Sequence, residues 1–121
     1  MTNDSHESLA RIFHEPNRLA IMSALCAARE GLAFTEIKEA CRLTDGNLNR
    51  HLKTLEEAGA VRISKRFVRT TPRTTIQITR SGVNRFDEYL AALSEVLEQA
   101  RRALPAESRR APALAGKPVA V

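Results

Sequence analysis

The amino-acid sequence predicts an α+β fold that is mainly helical and that ends in a long helix. Three observations support this prediction. Two short helical segments with capping residues lie between residues 35 and 58, separated by about three turn residues. Two segments follow in which apolar and polar residues alternate; they are rich in β-branched residues and are joined by a basic loop. A regular apolar repeat then extends from Val83 to Leu104.

Length and composition bound the class of protein. A chain of 121 residues, of which 43% are hydrophobic, suits one domain with a modest core. No apolar run approaches the ~20 residues that a membrane-spanning helix needs. The polar, acidic start of the chain is also unlike a signal peptide. We therefore expect a cytoplasmic protein that has no membrane partner.

Two helices are predicted before the first extended segment. The first covers residues 4–14, where three apolar side chains share one face: Leu9, Ile12 and Phe13. Pro16 suits the first turn of the second helix, because a missing N–H costs nothing there. We expect this second helix to end at Gly31, a typical C-terminal capping residue, before a short strand at residues 32–34.

A helix-turn-helix unit is predicted next. Thr35 can cap its first helix, which turns three residues inward: Ile37, Ala40 and Cys41. Thr44 can cap its second helix, over residues 45–58, and Gly59 suits the position after the helix end. This second helix turns three leucines to the core: Leu48, Leu52 and Leu55. Two capped helices at this spacing are typical of DNA-binding motifs.

The period of the apolar pattern then changes to two, which indicates a β-hairpin. Residues 61–67 read as a first strand with Phe67 on its apolar side, and residues 74–79 read as the second strand. The polar segment 68–73 between them is predicted as the turn, stiffened by Pro72. A basic hairpin directly after a helix-turn-helix is the wing of a winged helix.

The final helix is predicted over residues 80–104, with Thr79 or Ser81 as its cap and Pro105 as its stop. Its apolar residues repeat at alternating spacings of three and four, which makes a heptad seam. Such a seam is longer than the core of a small domain needs. We therefore predict a homodimer interface formed by the seam and the first helix: Leu9, Ile12, Phe13, Val83, Phe86, Leu90, Leu93, Leu97, Ala100 and Leu104.

Together these elements predict a winged helix-turn-helix with a long C-terminal dimerisation helix. Residues 1–104 would form one winged-helix DNA-binding domain that includes the dimerisation helix at residues 80–104. Residues 105–121 contain three prolines and no apolar period, so we expect a flexible tail.

The predicted DNA-contacting surface consists of the outer face of helix 45–58 and the wing at residues 65–74. Arg and Asn on that helix face are the residue types that pair with guanine and adenine edges in the major groove. The segment from Gly59 to Arg80 holds six basic residues and no acid, so we expect the wing to contact the phosphate backbone or to enter the minor groove. The predicted contacts are Thr44, Gly46, Asn47, Asn49, Arg50, Lys53, Lys65, Arg66, Arg69 and Arg73.

Three stretches of the sequence carry a resemblance to known regulators. They are HEPNRLAIMSAL, FTEIKEACRLTDGNLNRHLKTLEEAGAVRISKRF and RTTIQITRSGVNRFDEYLAAL. They resemble winged-helix regulators related to the MarR and ArsR families, and the likeness covers roughly residues 8–97. It implies a homodimeric transcriptional regulator that binds a palindromic operator with its recognition helices in successive major grooves. Occupancy of the promoter would repress or activate transcription, and of the two we expect a repressor. The drug- and phenolate-responsive members have longer terminal helices that enclose a pocket, whereas the first helix of this chain is short, so an unidentified small-molecule effector stays an open alternative.

The sequence departs from the metal-sensing members of those families. They carry paired cysteines on the helix equivalent to residues 35–41, where this chain has only Cys41. We therefore predict neither a metal nor a cofactor. Two alternatives to a DNA-binding regulator stay open, namely a protein-interaction module and a thiol- or metal-responsive sensor that uses Cys26 and Cys41. No catalytic motif is present, so we do not expect an enzyme.

Overall fold

The structure is a computed structural model that describes residues 11–108. Residues 11–13 are helical, and the remaining elements follow in this order: α1 Pro16–Ala27, β1 Leu32–Ala33, α2 Phe34–Cys41, α3 Asp45–Glu57, β2 Val61–Val68, β3 Thr71–Ile78, α4 Arg80–Ala103 and a 3₁₀ turn Ala106–Ser108. The three strands form one antiparallel sheet in the order β1-β3-β2. The predicted α+β, mainly helical winged-helix architecture is confirmed. Leu9 lies outside the described residues.

The helix α1 starts where the sequence predicts and ends earlier. Glu15 caps it, since its carboxylate accepts the Arg18 backbone N–H at 2.9 Å, and Pro16 occupies the first turn. The predicted end at Gly31 is wrong, because the helix stops at Ala27. Gly31 instead adopts a φ of +116° in the turn that leads into β1, a conformation that favours glycine.

The two helices of the helix-turn-helix unit are capped in different ways. Thr35 does not cap α2. The helix starts at Phe34, one residue before Thr35, and the Glu36 carboxylate reaches back to the Ala33 backbone N–H at 2.7 Å. Thr44 caps α3 as predicted, since its hydroxyl oxygen accepts the Asn47 N–H at 3.2 Å.

The wing is a longer and tighter hairpin than the sequence predicts. Its strands pair from Val61 opposite Ile78 out to Val68 opposite Thr71, so the turn holds two residues rather than the six of segment 68–73. Arg69 supplies the left-handed residue that a two-residue hairpin turn needs, with a φ of +62°. Pro72 therefore lies in β3 and does not stiffen the turn.

The core is built from aliphatic side chains of the three short helices and the sheet. The three leucines predicted to face inward from α3 are buried, which confirms the face assignment. They pack with residues of the other elements that are fully or almost fully buried: Ile21, Met22, Leu25, Ile37, Val61, Ile76 and Ile78. Burial of such aliphatic side chains supplies most of the stability of a domain of this size.

Two residues that the sequence places in a dimer interface lie in the core of the protomer instead. Phe13 is fully buried and Phe86 is 2% exposed. Their rings meet edge to face at 5.3 Å between centroids, and each also contacts Tyr89, at 5.7 Å from Phe13 and 6.2 Å from Phe86. Since this cluster buries the apolar surface of Phe13 and Phe86, neither ring is available to a second chain. Ile12 and Val83 are half-buried.

The end of α3, the start of β2 and the start of α4 meet at Ala60. Gly59, at a φ of +79°, lets the Ala60 N–H turn back to the Leu55 carbonyl at 2.9 Å, which closes α3. Thr79 donates its N–H to the Ala60 carbonyl at 3.0 Å, and its hydroxyl oxygen accepts the Gly82 N–H at 2.8 Å. Thr79 is thus the cap of α4.

The chain divides into two compact units, the first ending at Tyr89 and the second beginning at Leu90. In the second unit, α4 is exposed along most of its length, including its larger apolar side chains: Leu90, Val96, Leu97 and Leu104. Arg102 pairs with Glu98 at 3.2 Å, one helical turn away. None of the helices within residues 11–108 combines the length and apolar content that a membrane span requires.

We predict that Gly82→Ala destabilises the protein by about 1–3 kcal/mol, because a methyl group there would fall on the Ala60 carbonyl oxygen, which belongs to the backbone and cannot rotate away. Gly46→Ala is the matched control. Nothing lies within 4 Å of the position a methyl group would take at Gly46, and removing glycine from a helix is expected to stabilise it by up to about 1 kcal/mol.

Urea unfolding of both variants measures these two free energies. Equal stability of Gly82→Ala and the unmodified chain would contradict the close approach of α4 to Ala60.

Candidate nucleic-acid interface

The outer face of α3 and the hairpin present a continuous set of polar and basic residues. All ten residues predicted to contact DNA are exposed, six of them at the start or on the outer face of α3 and four on the hairpin. Their exposure follows from the burial of the opposite face of α3, where Leu48, Leu52 and Leu55 fix the rotation of the helix.

The N-terminus of α3 is open to an anion. The geometry of a helix leaves the N–H groups of its first residues without intrahelical acceptors, and the helix dipole favours negative charge there. Thr44 uses its hydroxyl oxygen to cap the helix, which leaves the hydroxyl hydrogen free to donate. Gly46 has no neighbour within 4 Å on its side-chain side, so a phosphate can approach the backbone closely.

The only acidic residue in the first turn of α3 is paired with a cation. Asp45 accepts from the Lys38 ammonium of α2 at 2.8 Å. No local sequence pattern indicates this contact, because Lys38 belongs to the preceding helix. The pair reduces the repulsion that a free carboxylate would exert on a phosphate at this helix end.

A hydrogen bond holds the central arginine of α3. The Arg50 guanidinium donates to the Asn47 side-chain oxygen at 3.0 Å, one helical turn away. Both side chains are exposed, and the guanidinium keeps further N–H donors for another acceptor. The bond restricts the rotamers of Arg50, so less freedom is lost when this side chain pairs with a base edge.

The hairpin has two distinct faces beyond the core. One face continues from Ile63 through Lys65 to Phe67, because alternate residues of a strand share a face. The other face carries Arg66 directly opposite Arg73. Two like charges in a cross-strand pair repel each other, and an anion between or beside them relieves that repulsion.

An open groove of about 860 Å³ separates α3 from the hairpin. Lys53 borders it on the α3 side and Lys65 on the hairpin side, with Asn49 and Glu56 also on its α3 wall. Leu52 and Ile63 contribute to its apolar lining. A groove with a lysine on each wall suits a sugar-phosphate strand, whose charge is negative along its whole length.

A buried polar cluster anchors α3 from its inner side. His51 is 6% exposed, and its Nδ1 lies 3.1 Å from the Arg18 guanidinium, which also donates to the Ile12 carbonyl at 2.7 Å. Because arginine only donates, this nitrogen accepts, which assigns His51 as neutral. Burial lowers the pKa of His51, Glu15 opposes the shift, and Arg18 and Arg50 add to it. His51 therefore packs inside the domain and stays uncharged.

Comparison with known families agrees with this geometry. Residues 17–97 match the family described as winged helix DNA-binding domain, and this range covers more than half of the chain. The chain belongs to this winged helix DNA-binding family. The predicted resemblance to winged-helix regulators is thereby confirmed at the level of the family, and the matched range contains the whole of α2, α3 and the hairpin.

Relatives of this winged helix domain come from several organisms. An uncharacterized protein of Methanocaldococcus jannaschii, MJ0432, is 40% identical over 80 residues, which cover 66% of this chain and 86% of that protein. The structure of a transcriptional regulator homologue from Pyrococcus horikoshii OT3 is similar with a TM-score of 0.71 and 30% identity, over 80% of this chain and 97% of that one.

A second solved structure shares the fold at lower sequence identity. A mutant of MepR from S. aureus, bound to an oligodeoxyribonucleotide, is similar with a TM-score of 0.60 and 17% identity. The similarity covers 88% of this chain and 80% of that one. At this identity it supports the winged helix fold only.

The two cysteines of the winged helix domain are half-buried free thiols. Burial raises the pKa of Cys26, although Arg29 opposes the shift, and burial also raises the pKa of Cys41. A raised pKa lowers the thiolate fraction, and the thiolate is the form that reacts and binds metals. Within residues 11–108 no three His, Cys, Asp or Glu side chains are grouped as metal ligands.

Sequence reasoning missed three groups of residues at this surface. Lys38 neutralises Asp45 from another helix, and Arg18 anchors His51 across a long sequence separation. Neither contact leaves a local pattern in the sequence. The third is Phe67, expected on the apolar side of a strand but 70% exposed near the end of the hairpin. The strand face on which Phe67 lies is predictable from the alternation of apolar and polar residues. The exposure of Phe67 is not, because it depends on how far β2 extends beyond the core.

Proposed function

We propose that this protein binds double-stranded DNA in a sequence-specific manner, as a homodimeric transcriptional regulator that represses by occupying a palindromic operator. One observation carries the proposal: α3 presents an exposed Asn/Arg face at an open helix N-terminus, directly beside a hairpin without acidic residues. A related protein of Pyrococcus horikoshii is named as a transcriptional regulator homologue, and MepR was solved with an oligodeoxyribonucleotide.

The proposed binding mode places α3 in the major groove and the hairpin beside it. Arg50 would read a guanine, since its guanidinium presents paired donors to O6 and N7, and Asn49 would read an adenine. Lys53 and Lys65 would hold the phosphates of the strand between the two elements. Thr44 and the open backbone at Gly46 would contact a phosphate at the start of α3.

Substitution of Arg50 tests the base contact. We expect Arg50→Ala to weaken operator binding by about 1–3 kcal/mol and to relax the preference at one base pair of each half-site. Lys53→Ala is expected to weaken binding to all sequences alike and to reduce the salt dependence by about one phosphate contact. Arg102→Ala removes the same charge from α4, far along the chain from both elements, and should leave binding unchanged.

Mobility-shift titrations at several salt concentrations, on a site selected from a random DNA pool, measure all three variants. The absence of any DNA binding by the unmodified protein would favour a protein-interaction module instead. An Arg50→Ala variant that binds the operator as tightly as the unmodified protein would remove α3 from the proposed interface.

The proposed dimer rests on the exposed part of α4. With Phe86 buried in the protomer, the seam that remains for a partner consists of residues of the second unit: Leu90, Leu93, Leu97, Ala100 and Leu104. Leu97 is 53% exposed and Leu104 is 47% exposed. Apolar side chains repeated every three and four residues pack well against the same helix of a second copy.

We expect Leu97→Glu to dissociate this dimer, because the change places a charge in the middle of the apolar seam. Gln99→Glu adds the same charge to an exposed residue on the other side of α4 and should leave the dimer intact. Sedimentation equilibrium measures both variants. A Leu97→Glu variant that still sediments as a dimer would contradict the assignment of the interface.

A thiol- or metal-responsive sensor receives less support, since burial raises the pKa of both cysteine thiols.

A small-molecule effector stays a prediction. Two of the larger grooves in the described residues are open to solvent and adjoin the hairpin, and one of them also adjoins α3. They are therefore better suited to DNA than to an enclosed ligand.

A further inference from the structure

The far end of the hairpin carries an apolar patch that the domain does not use in its own core. Phe67 is 70% exposed, the highest value among the large hydrophobic side chains of residues 11–108. Pro72 pairs directly opposite Phe67 in the hairpin, so the two side chains share one face. A proline opposite an aromatic ring provides a rigid apolar support for it.

Phe67 lies on the hairpin face that borders the groove next to α3. Residues 63, 65 and 67 share this face, and Ile63 and Lys65 line the groove. Phe67 lies two residues beyond Lys65, or roughly 7 Å further toward the end of the hairpin at about 3.4 Å per residue. The aromatic ring is therefore placed just past the lysine that borders the groove.

The hairpin residues next to this apolar patch include four cations. Lys65 and Arg66 precede Phe67, Arg69 lies in the turn, and Arg73 follows Pro72. Two acidic residues of the helices line the adjoining grooves, Glu36 beside Pro72 and Glu56 beside Lys65. No acidic residue occurs between Gly59 and Arg80. The net positive charge of the hairpin therefore favours an anionic partner that also offers an apolar surface to an aromatic ring. A DNA minor groove has this chemistry, since phosphates line its edges and sugars and stacked bases form its walls and floor.

From this arrangement we infer that Phe67 inserts into the DNA minor groove as an apolar wedge against a base step, with Pro72 behind it. The inference rests on the proposed function. When α3 occupies the major groove, one sugar-phosphate strand fills the groove between Lys53 and Lys65. The surface of DNA on the far side of that strand is the minor groove. Because Phe67 lies beyond Lys65 on the same hairpin face, its ring would contact the minor groove on the far side of this strand.

An inserted aromatic ring partly unstacks the step that it contacts and bends the duplex. Arg66 and Arg73 lie on the opposite face of the hairpin and hold the flanking phosphates. The wedge thus adds selectivity for flexible base steps, such as TA, which unstack more easily than others.

The test compares Phe67→Ala with Val68→Ala in the full chain. Val68 is the next residue, is 47% exposed and lies on the opposite face of the hairpin, so it is a matched control. We expect Phe67→Ala to weaken operator binding roughly tenfold, the effect typical of losing one aromatic stacking contact. The salt dependence of binding stays unchanged because no charge is removed. Val68→Ala binds as the unmodified protein does.

A fluorescent probe locates the wedge. With 2-aminopurine placed at successive positions beside the α3 site, the unmodified protein is expected to raise the fluorescence at one unstacked step per half-site. Phe67→Ala is expected to abolish that increase and to retain the dependence of binding on Arg50. Since Phe67 is largely exposed, urea unfolding is expected to show equal stability of the variant and the unmodified chain.

Three outcomes would overturn the wedge. Equal operator affinity and equal 2-aminopurine fluorescence for Phe67→Ala would show that the ring contacts no base step. A lower sedimentation mass for Phe67→Ala would assign the patch to a second copy of the chain. Loss of binding to phosphatidylglycerol vesicles without loss of operator binding would assign it to a membrane surface. Failure of the unmodified protein to bind DNA would instead overturn the proposed function itself.

Discussion

The carbonyl group of Ala60 is the point on which the geometry of this domain depends. It accepts the Thr79 N–H at 3.0 Å and lies against Gly82, while the preceding Gly59 closes α3. One short segment thereby fixes the end of α3, the start of the hairpin and the start of α4. A shift at this junction would move the two elements that carry the proposed base contacts and backbone contacts.

The position of α3 is fixed from its inner side as well. Three buried leucines set the rotation of the helix, and Arg18 holds His51 in the neutral form at 3.1 Å. The outer face is then free to present Arg50, with Asn47 bonded to its guanidinium at 3.0 Å. A rigid inner face and a partly ordered outer face reduce the conformational entropy that α3 would lose in the proposed binding to DNA.

Local patterns predicted most of the fold, because periods and caps depend on neighbouring residues. Thr44, Gly59 and Thr79 act as caps in the way that the sequence indicates. The cap of α2 was missed because it reaches backward from Glu36, three residues inside the helix from Ala33. The length of the hairpin was underestimated because its outer strands are exposed and basic, so their residue types favoured a loop.

The heptad seam shows a different limit of sequence reasoning. An apolar period reports that a helix face is buried, but it does not report what buries it. Phe86 belongs to the same period as Leu97, yet Phe13 covers Phe86 within the protomer, whereas Leu97 is 53% exposed. Nine of the ten residues in the proposed DNA contact set are predictable as exposed, since each lies away from a recognisable apolar face. Lys65 is the exception, because it shares its strand face with Ile63 and Phe67. The roles proposed for them toward DNA follow from their chemistry rather than from their burial.

Methylation interference on a selected operator tests most directly the claim that α3 and the hairpin occupy adjacent grooves. Methyl groups on guanine N7 block the major groove, and those on adenine N3 block the minor groove. We expect interference at guanine N7 once in each half-site and at adenine N3 in the minor groove beside it, with the N7 signal lost in Arg50→Ala. Interference confined to the minor groove, or unchanged in Arg50→Ala, would contradict the account.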